Sequence, residues 1–119
     1  MDAQFPLFVF EKDDRSMYLI EAPKRVLYHL EAIDIENNEY LFWDSTGAGV
    51  CISVVHSAVK QIALCEQTMS LRNALESYAQ SQGLHLIPGE SAIDTWKSLQ
   101  SQIPLRRTLW ERLFRKSKS

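Results

Sequence analysis

The stretch EYLFWDSTGAGVCISVV, residues 39–55, decides the fold class. Tyr40-Leu41-Phe42-Trp43 and Val50-Cys51-Ile52-Ser53-Val54-Val55 are rich in the aromatic and β-branched side chains that suit a pleated strand. Between them, Ser45-Thr46-Gly47-Ala48-Gly49 offers small residues and two glycines, which tolerate the backbone angles of a turn. A connection this short joins antiparallel neighbours, because a parallel crossover needs about a dozen residues. The stretch reads as a hairpin with Val50, Ile52 and Val54 on one face.

Working outward, similar runs recur upstream. Leu7-Phe8-Val9-Phe10 and Met17-Tyr18-Leu19-Ile20 flank the polar turn Asp13-Asp14-Arg15-Ser16. Pro23 interrupts pairing, and Val26 to Glu36 then reads as a longer strand. Asn37-Asn38 tolerates the positive φ of a two-residue hairpin turn, which would set Glu36 opposite Glu39. Downstream, about Val59 to Cys65 reads as a further strand.

The period changes after Met69. Leu71, Ala74, Leu75, Tyr78 and Ala79 share one helical face, with Thr68 or Ser70 to cap its start and Gly83 to end it. After Pro88-Gly89, Ser91 with Asp94 three residues on opens a helix carrying Ala92, Ile93, Trp96, Leu99 and Ile103. Pro104 ends that helix or starts a last one along Leu105, Leu109, Trp110, Leu113 and Phe114. Strands followed by helices imply an α+β fold. The expected architecture is an antiparallel meander sheet of five to six strands in residues 5–66. Two or three C-terminal helices in 69–116 pack on it, and 1–119 forms a single domain.

Composition narrows the function classes. No apolar run approaches the ~18 residues of a membrane-spanning helix. Two cysteines, Cys51 and Cys65, are too few for a disulfide scaffold, and Met1-Asp2-Ala3-Gln4 lacks the basic start of a signal peptide. Free thiols in a reducing cytoplasm are the expectation, with Cys51 packing as a small hydrophobe; a single disulfide is the alternative, because both cysteines fall in neighbouring candidate strands. The net charge of −2 conceals a polarity. Residues 1–44 hold ten acids and four bases, whereas 101–119 hold one acid and six bases.

A search for catalytic residues returns no assembled set. Asp44-Ser45-Thr46-Gly47 has one residue more than the Asp-Thr/Ser-Gly loop of aspartic proteases, and no second copy supplies the partner carboxylate. Ser57-Ala58-Val59-Lys60 has S-x-x-K spacing but lies between strands, where i and i+3 point to opposite faces. His29, His56 and His85 are scattered, and Cys51, His56 and Cys65 lack metal-ligand spacing. His29 reads as a partly buried strand residue. No P-loop, dinucleotide fingerprint or RNA-recognition signature occurs. The expectation is a protein without catalytic residues, metal or cofactor.

Three surfaces remain as partner candidates. Asp34, Glu36 and Glu39 crowd around Asn37-Asn38, which suits a basic partner better than calcium because EF-hand spacing is missing. Tyr40, Phe42 and Trp43 belong to strands apolar on both sides, so the second face needs cover from barrel-like closure, a second copy or a partner. Arg106, Arg107, Trp110 and Arg112 lie on a basic amphipathic helix that suits the chain's own acidic front. An acidic chain disfavours nucleic acid, and a membrane surface is the weaker alternative for this helix. The sequence therefore points to a small cytoplasmic, non-enzymatic protein-interaction module. Two alternatives stand beside it: an acidic immunity- or antitoxin-like inhibitor of a basic toxin, and a ligand-binding or enzymatic pocket between sheet and helices.

Overall fold

The computed structural model describes residues 2–87, 89 and 91–103. Five strands form one antiparallel sheet: β1 (Leu7–Glu11), β2 (Met17–Ile20), β3 (Tyr40–Trp43), β4 (Gly49–Val55) and β5 (Ala58–Leu64). Their spatial order is β2-β1-β3-β4-β5. Among the described residues, three helical segments connect or follow them, giving the α+β class expected: the crossover 23–36, α3 (Leu71–Gln82) and α4 (92–103). The crossover comprises a 3-10 turn at Pro23–Arg25, α1 (Val26–His29) and α2 (Ala32–Glu36).

The run Val26–Glu36 is thus helical, which corrects the strand expected there. Pro23 sits at the start of the helical turn, where its missing N–H costs nothing. Val26 and Leu30 follow at i and i+4 and are both buried. The Asn37-Asn38 pair ends α2 instead of closing a hairpin. Asn38 takes φ +55°, Glu39 N–H donates to the Asp34 carbonyl (3.0 Å), and Asn38 N–H donates to that of Ile35 (3.1 Å). This is a Schellman stop with asparagine in the left-handed position.

The crossover also explains why the central strands are apolar on both sides. Successive strand residues point to opposite faces. Phe8 and Phe10 of β1, with Leu41 and Trp43 of β3, pack under Leu71, Leu75, Tyr78 and Leu99 of the C-terminal helices. Leu7, Val9, Phe42 and Val50 pack on the other face under Val26, Leu30 and Ile35. The second face of these strands is covered by the chain's own crossover, rather than by barrel closure or by a second molecule. Phe42 and Trp43 are buried, not presented.

The C-terminal helices follow their sequence signals. Ser70 Oγ accepts from Asn73 N–H (3.1 Å), and Gly83, at φ +65°, ends α3 with Leu84 N–H donating to the Ala79 carbonyl (2.8 Å). Ser91 Oγ accepts from Asp94 N–H (3.2 Å). Arg15 ties the β1–β2 turn to α3, its Nε donating to Ser77 Oγ and its Nη2 to the Ser77 carbonyl, both at 2.8 Å. The basic helix expected over 105–116, with Arg106, Arg107, Trp110 and Arg112, lies outside the described residues.

Cys51 and Cys65 form a disulfide, which corrects the expectation of two free thiols. Cys51 pairs with Ala63, and Cys65 lies just beyond β5, its N–H donating to the Gly49 carbonyl (2.9 Å). That places the two Cα atoms 5.8 Å apart, within bridging range. A closed loop of this size constrains the unfolded chain. Replacing both cysteines by alanine is therefore expected to lower stability by about 2 kcal/mol. Urea unfolding of the oxidised protein and the double variant tests this, and equal midpoints would count against it.

Candidate functional site

The acidic cluster assembles from three parts of the chain. Glu11 ends β1 and pairs in register with Tyr40 of β3. Lys12 N–H donates to the Glu39 carbonyl (3.1 Å), which holds the β1–β2 turn beside the start of β3. The Schellman stop brings Glu39 back towards Asp34, whose Oδ2 lies 3.5 Å from the Tyr40 hydroxyl. Tyr18 on β2 donates its hydroxyl to Glu11 Oε2 (3.0 Å). Glu11, Asp13, Asp34 and Glu39 therefore share one edge of the molecule.

Their proximity shows in the titration of Glu39 and of the neighbouring Tyr40. The Asp13 carboxylate is the main influence raising Glu39 above its ordinary value; loss of hydration and the charges of Asp34 and Glu11 add to it. Tyr40 is pushed up to about 12, first by burial and then by Asp34 and Glu11. Among the described residues, the one ion pair within 4.0 Å is Arg72–Glu76, on α3. No Lys, Arg or His among them neutralises the cluster at that distance. The carboxylates do not converge on a point: no three His, Cys, Asp or Glu side chains among the described residues come together as metal ligands.

A cleft lies beside this cluster because β3 and β4 separate. They pair only at Phe42–Val50 and Trp43–Gly49, and from there Tyr40 and Leu41 diverge from Cys51 and Ile52. The gap has a volume of about 290 Å³, with Lys12, Ile35 and Tyr40 in its wall. Gln67 spans one side by donating from Nε2 to the Val50 carbonyl (2.6 Å).

The structure brings Asp34, Glu39 and Tyr40 together. Glu36 is exposed on the last turn of α2, and no hairpin sets it against Glu39. Phe42 and Trp43 belong to the two cores. Glu11 and Asp13 were not singled out from sequence, because their closeness to Glu39 depends on β1 pairing with β3.

Other motifs resolve into structural roles. Asp44 is buried, and its Oδ1 accepts from Thr46 N–H (2.9 Å), Thr46 Oγ1 (2.5 Å) and Ala48 N–H (3.1 Å). Its Oδ2 accepts from Gln4 N–H (3.0 Å). Burial pushes its pKa up, but the Thr46 hydroxyl and the three N–H groups outweigh burial and hold it below its ordinary value. The carboxylate is committed to shaping the β3–β4 loop. Ser57 lies in the two-residue β4–β5 turn with φ +62°, and Lys60 is the extra residue of a β-bulge. His29 is exposed at the end of α1, not half-buried in a strand.

Among the described residues, no helix is long and apolar enough to cross a membrane. No family model, curated protein or solved structure matches the chain.

Proposed function

We propose that this protein is a small non-enzymatic interaction module that docks a basic protein partner on the acidic edge formed by Glu11, Asp13, Asp34 and Glu39. The supporting observation is four carboxylates crowded enough to raise Glu39, with no cation pairing them among the described residues. Like charges held together cost stability, and an incoming Lys or Arg relieves that cost while steering association. The adjoining cleft has apolar walls from Ile35 and Ile52, which suit the aliphatic stem of such a side chain. A basic toxin blocked by an immunity-like inhibitor is one case of this chemistry. The disulfide weighs against a cytoplasmic setting, since such bridges persist mainly in oxidising compartments.

The test measures association with basic candidate partners, beginning with proteins encoded beside this chain's gene. Wild type is compared with a variant carrying Asp13→Lys, Asp34→Lys and Glu39→Lys. Association is expected to slow at least ~10-fold at low salt, with dissociation less affected and the difference shrinking as salt rises. Equal association rates for the two proteins would overturn the reading.

A further inference from the structure

The Cys51–Cys65 disulfide sits where a reagent can reach it. Cys51 is exposed on β4 and stands in the wall of the cleft between β3 and β4. Cys65 is half-buried just beyond β5. Neither cysteine belongs to either core, so opening the bridge leaves the packing of both sheet faces in place. A bridge of this kind differs from a buried structural one, because exposure leaves its sulfur open to attack by a thiolate.

The two sulfurs are not equivalent. Gln67, two residues past Cys65, turns its side-chain amide back towards the bridge. Its Nε2 donates to the Val50 carbonyl (2.6 Å) and to Cys65 Sγ (3.7 Å). The Val50 carbonyl can only accept, which fixes the amide's NH2 end on this side, and that group has one proton for each acceptor. A disulfide sulfur is a weak acceptor. On a Cys65 thiolate the same donor meets a full negative charge, and charge-assisted hydrogen bonds are roughly twice as strong as neutral ones. Gln67 therefore favours the charge that appears on Cys65 once the bridge breaks, and a thiol whose anion is stabilised leaves faster. Access favours Cys51, and the leaving-group assistance goes to Cys65.

We infer that Cys51–Cys65 is a redox-active disulfide and a substrate for dithiol reductants, with Cys51 as the sulfur attacked and Cys65 as the leaving group. A thiolate of the reductant bonds to Cys51 Sγ as the bond between Cys51 and Cys65 breaks. The electron pair of that bond leaves on Cys65, beside the Gln67 amide, and Cys65 then takes a proton from water. The reductant's second thiol gives up its proton and attacks the reductant sulfur held on Cys51. That step closes the reductant's own disulfide and releases Cys51 as a thiolate, which is protonated in turn. Two electrons and two protons pass from the dithiol to the bridge, and an oxidised dithiol restores it by the same steps in reverse.

The oxidised full chain tests the assignment, with dithiothreitol and 2-mercaptoethanol as probes. In native buffer the rate of bridge opening is expected to rise in proportion to dithiothreitol. A plateau, the mark of a bridge reached only through unfolding, overturns the inference. Brief exposure to 2-mercaptoethanol, an acid quench and peptic mapping by mass spectrometry should place the mixed disulfide on Cys51 at least ~10-fold over Cys65. Equal amounts on the two, or an excess on Cys65, overturn it. Gln67→Met keeps much of the side chain's bulk without the donor, and it should slow opening roughly five-fold. In the reduced variant the pH midpoint for alkylation of Cys65 should also rise, which a purely structural role for Gln67 would not produce. An unchanged rate and midpoint overturn the leaving-group assignment. Gln67 belongs to neither core, and the two wild-type measurements decide the matter even where the variant fails to fold.

Discussion

Replacing Trp43 by alanine is expected to lower the free energy of unfolding by about 4 kcal/mol. Trp43 is 1% exposed and stands where three strands meet, paired with Phe8 of β1 and with Gly49 of β4. Its indole fills the core beneath α3 and α4, and its Nε1–H donates to the Met69 carbonyl just before α3 (3.1 Å). Alanine removes the packing, leaves a cavity and strips the Met69 carbonyl of its donor. Trp43→Phe keeps an aromatic ring and loses the hydrogen bond with part of the volume, so a cost of about 2 kcal/mol is expected. Urea unfolding followed by far-ultraviolet circular dichroism separates the two. Small domains hold about 5–15 kcal/mol in total, so the alanine variant should be close to unfolding at room temperature. Equal losses for the two variants would show that the indole's bulk and hydrogen bond do not set the effect.

Asp44→Ala comes next, at about 3 kcal/mol, and it carries a pH signature. The substitution strands the Gln4, Thr46 and Ala48 N–H groups that the carboxylate now accepts from. The folded-state pKa lies below the ordinary 3.8, so the ionised form is the one the fold prefers. Its contribution is fully present above the unfolded pKa and is lost as the pH falls through the lower, folded value. Wild type should therefore destabilise on acidification below about pH 4 more steeply than Asp44→Asn, which has no proton to take up. Parallel pH profiles for the two proteins would remove the argument.

These two residues also mark how far the sequence could be read. Trp43 and Asp44 close the strand that the hairpin pattern identified, and all five strands were legible from aromatic and β-branched runs between turns. Ser70, Gly83 and Ser91 marked helix boundaries because capping is local chemistry. The crossover was misread because Val26, Ile33 and Ile35 have strand-forming shapes, while the competing signal, Pro23 followed by Val26, Leu27 and Leu30, has helical spacing. From that misreading came the apparent need for something else to cover Tyr40, Phe42 and Trp43. The acidic site was half legible. Asp34 and Glu39 are close along the chain, whereas Glu11 and Asp13 join them only through sheet pairing. The disulfide depends on a register that residue spacing alone does not reveal.

Because β1 lies between β2 and β3 and is buried on both faces, the order of synthesis matters for this chain. Leu7–Phe10 leaves the ribosome before its partners, and Phe42 and Trp43, which pair with it, follow more than thirty residues later. At roughly 5–20 residues per second, that leaves about 2–6 seconds during which one edge and both faces of the strand lack their final cover. The helix that shields Phe8 and Phe10 starts only at Leu71. An apolar strand waiting that long is open to pairing with other nascent chains, so a chaperone that holds short apolar segments would find its target in residues 7–10.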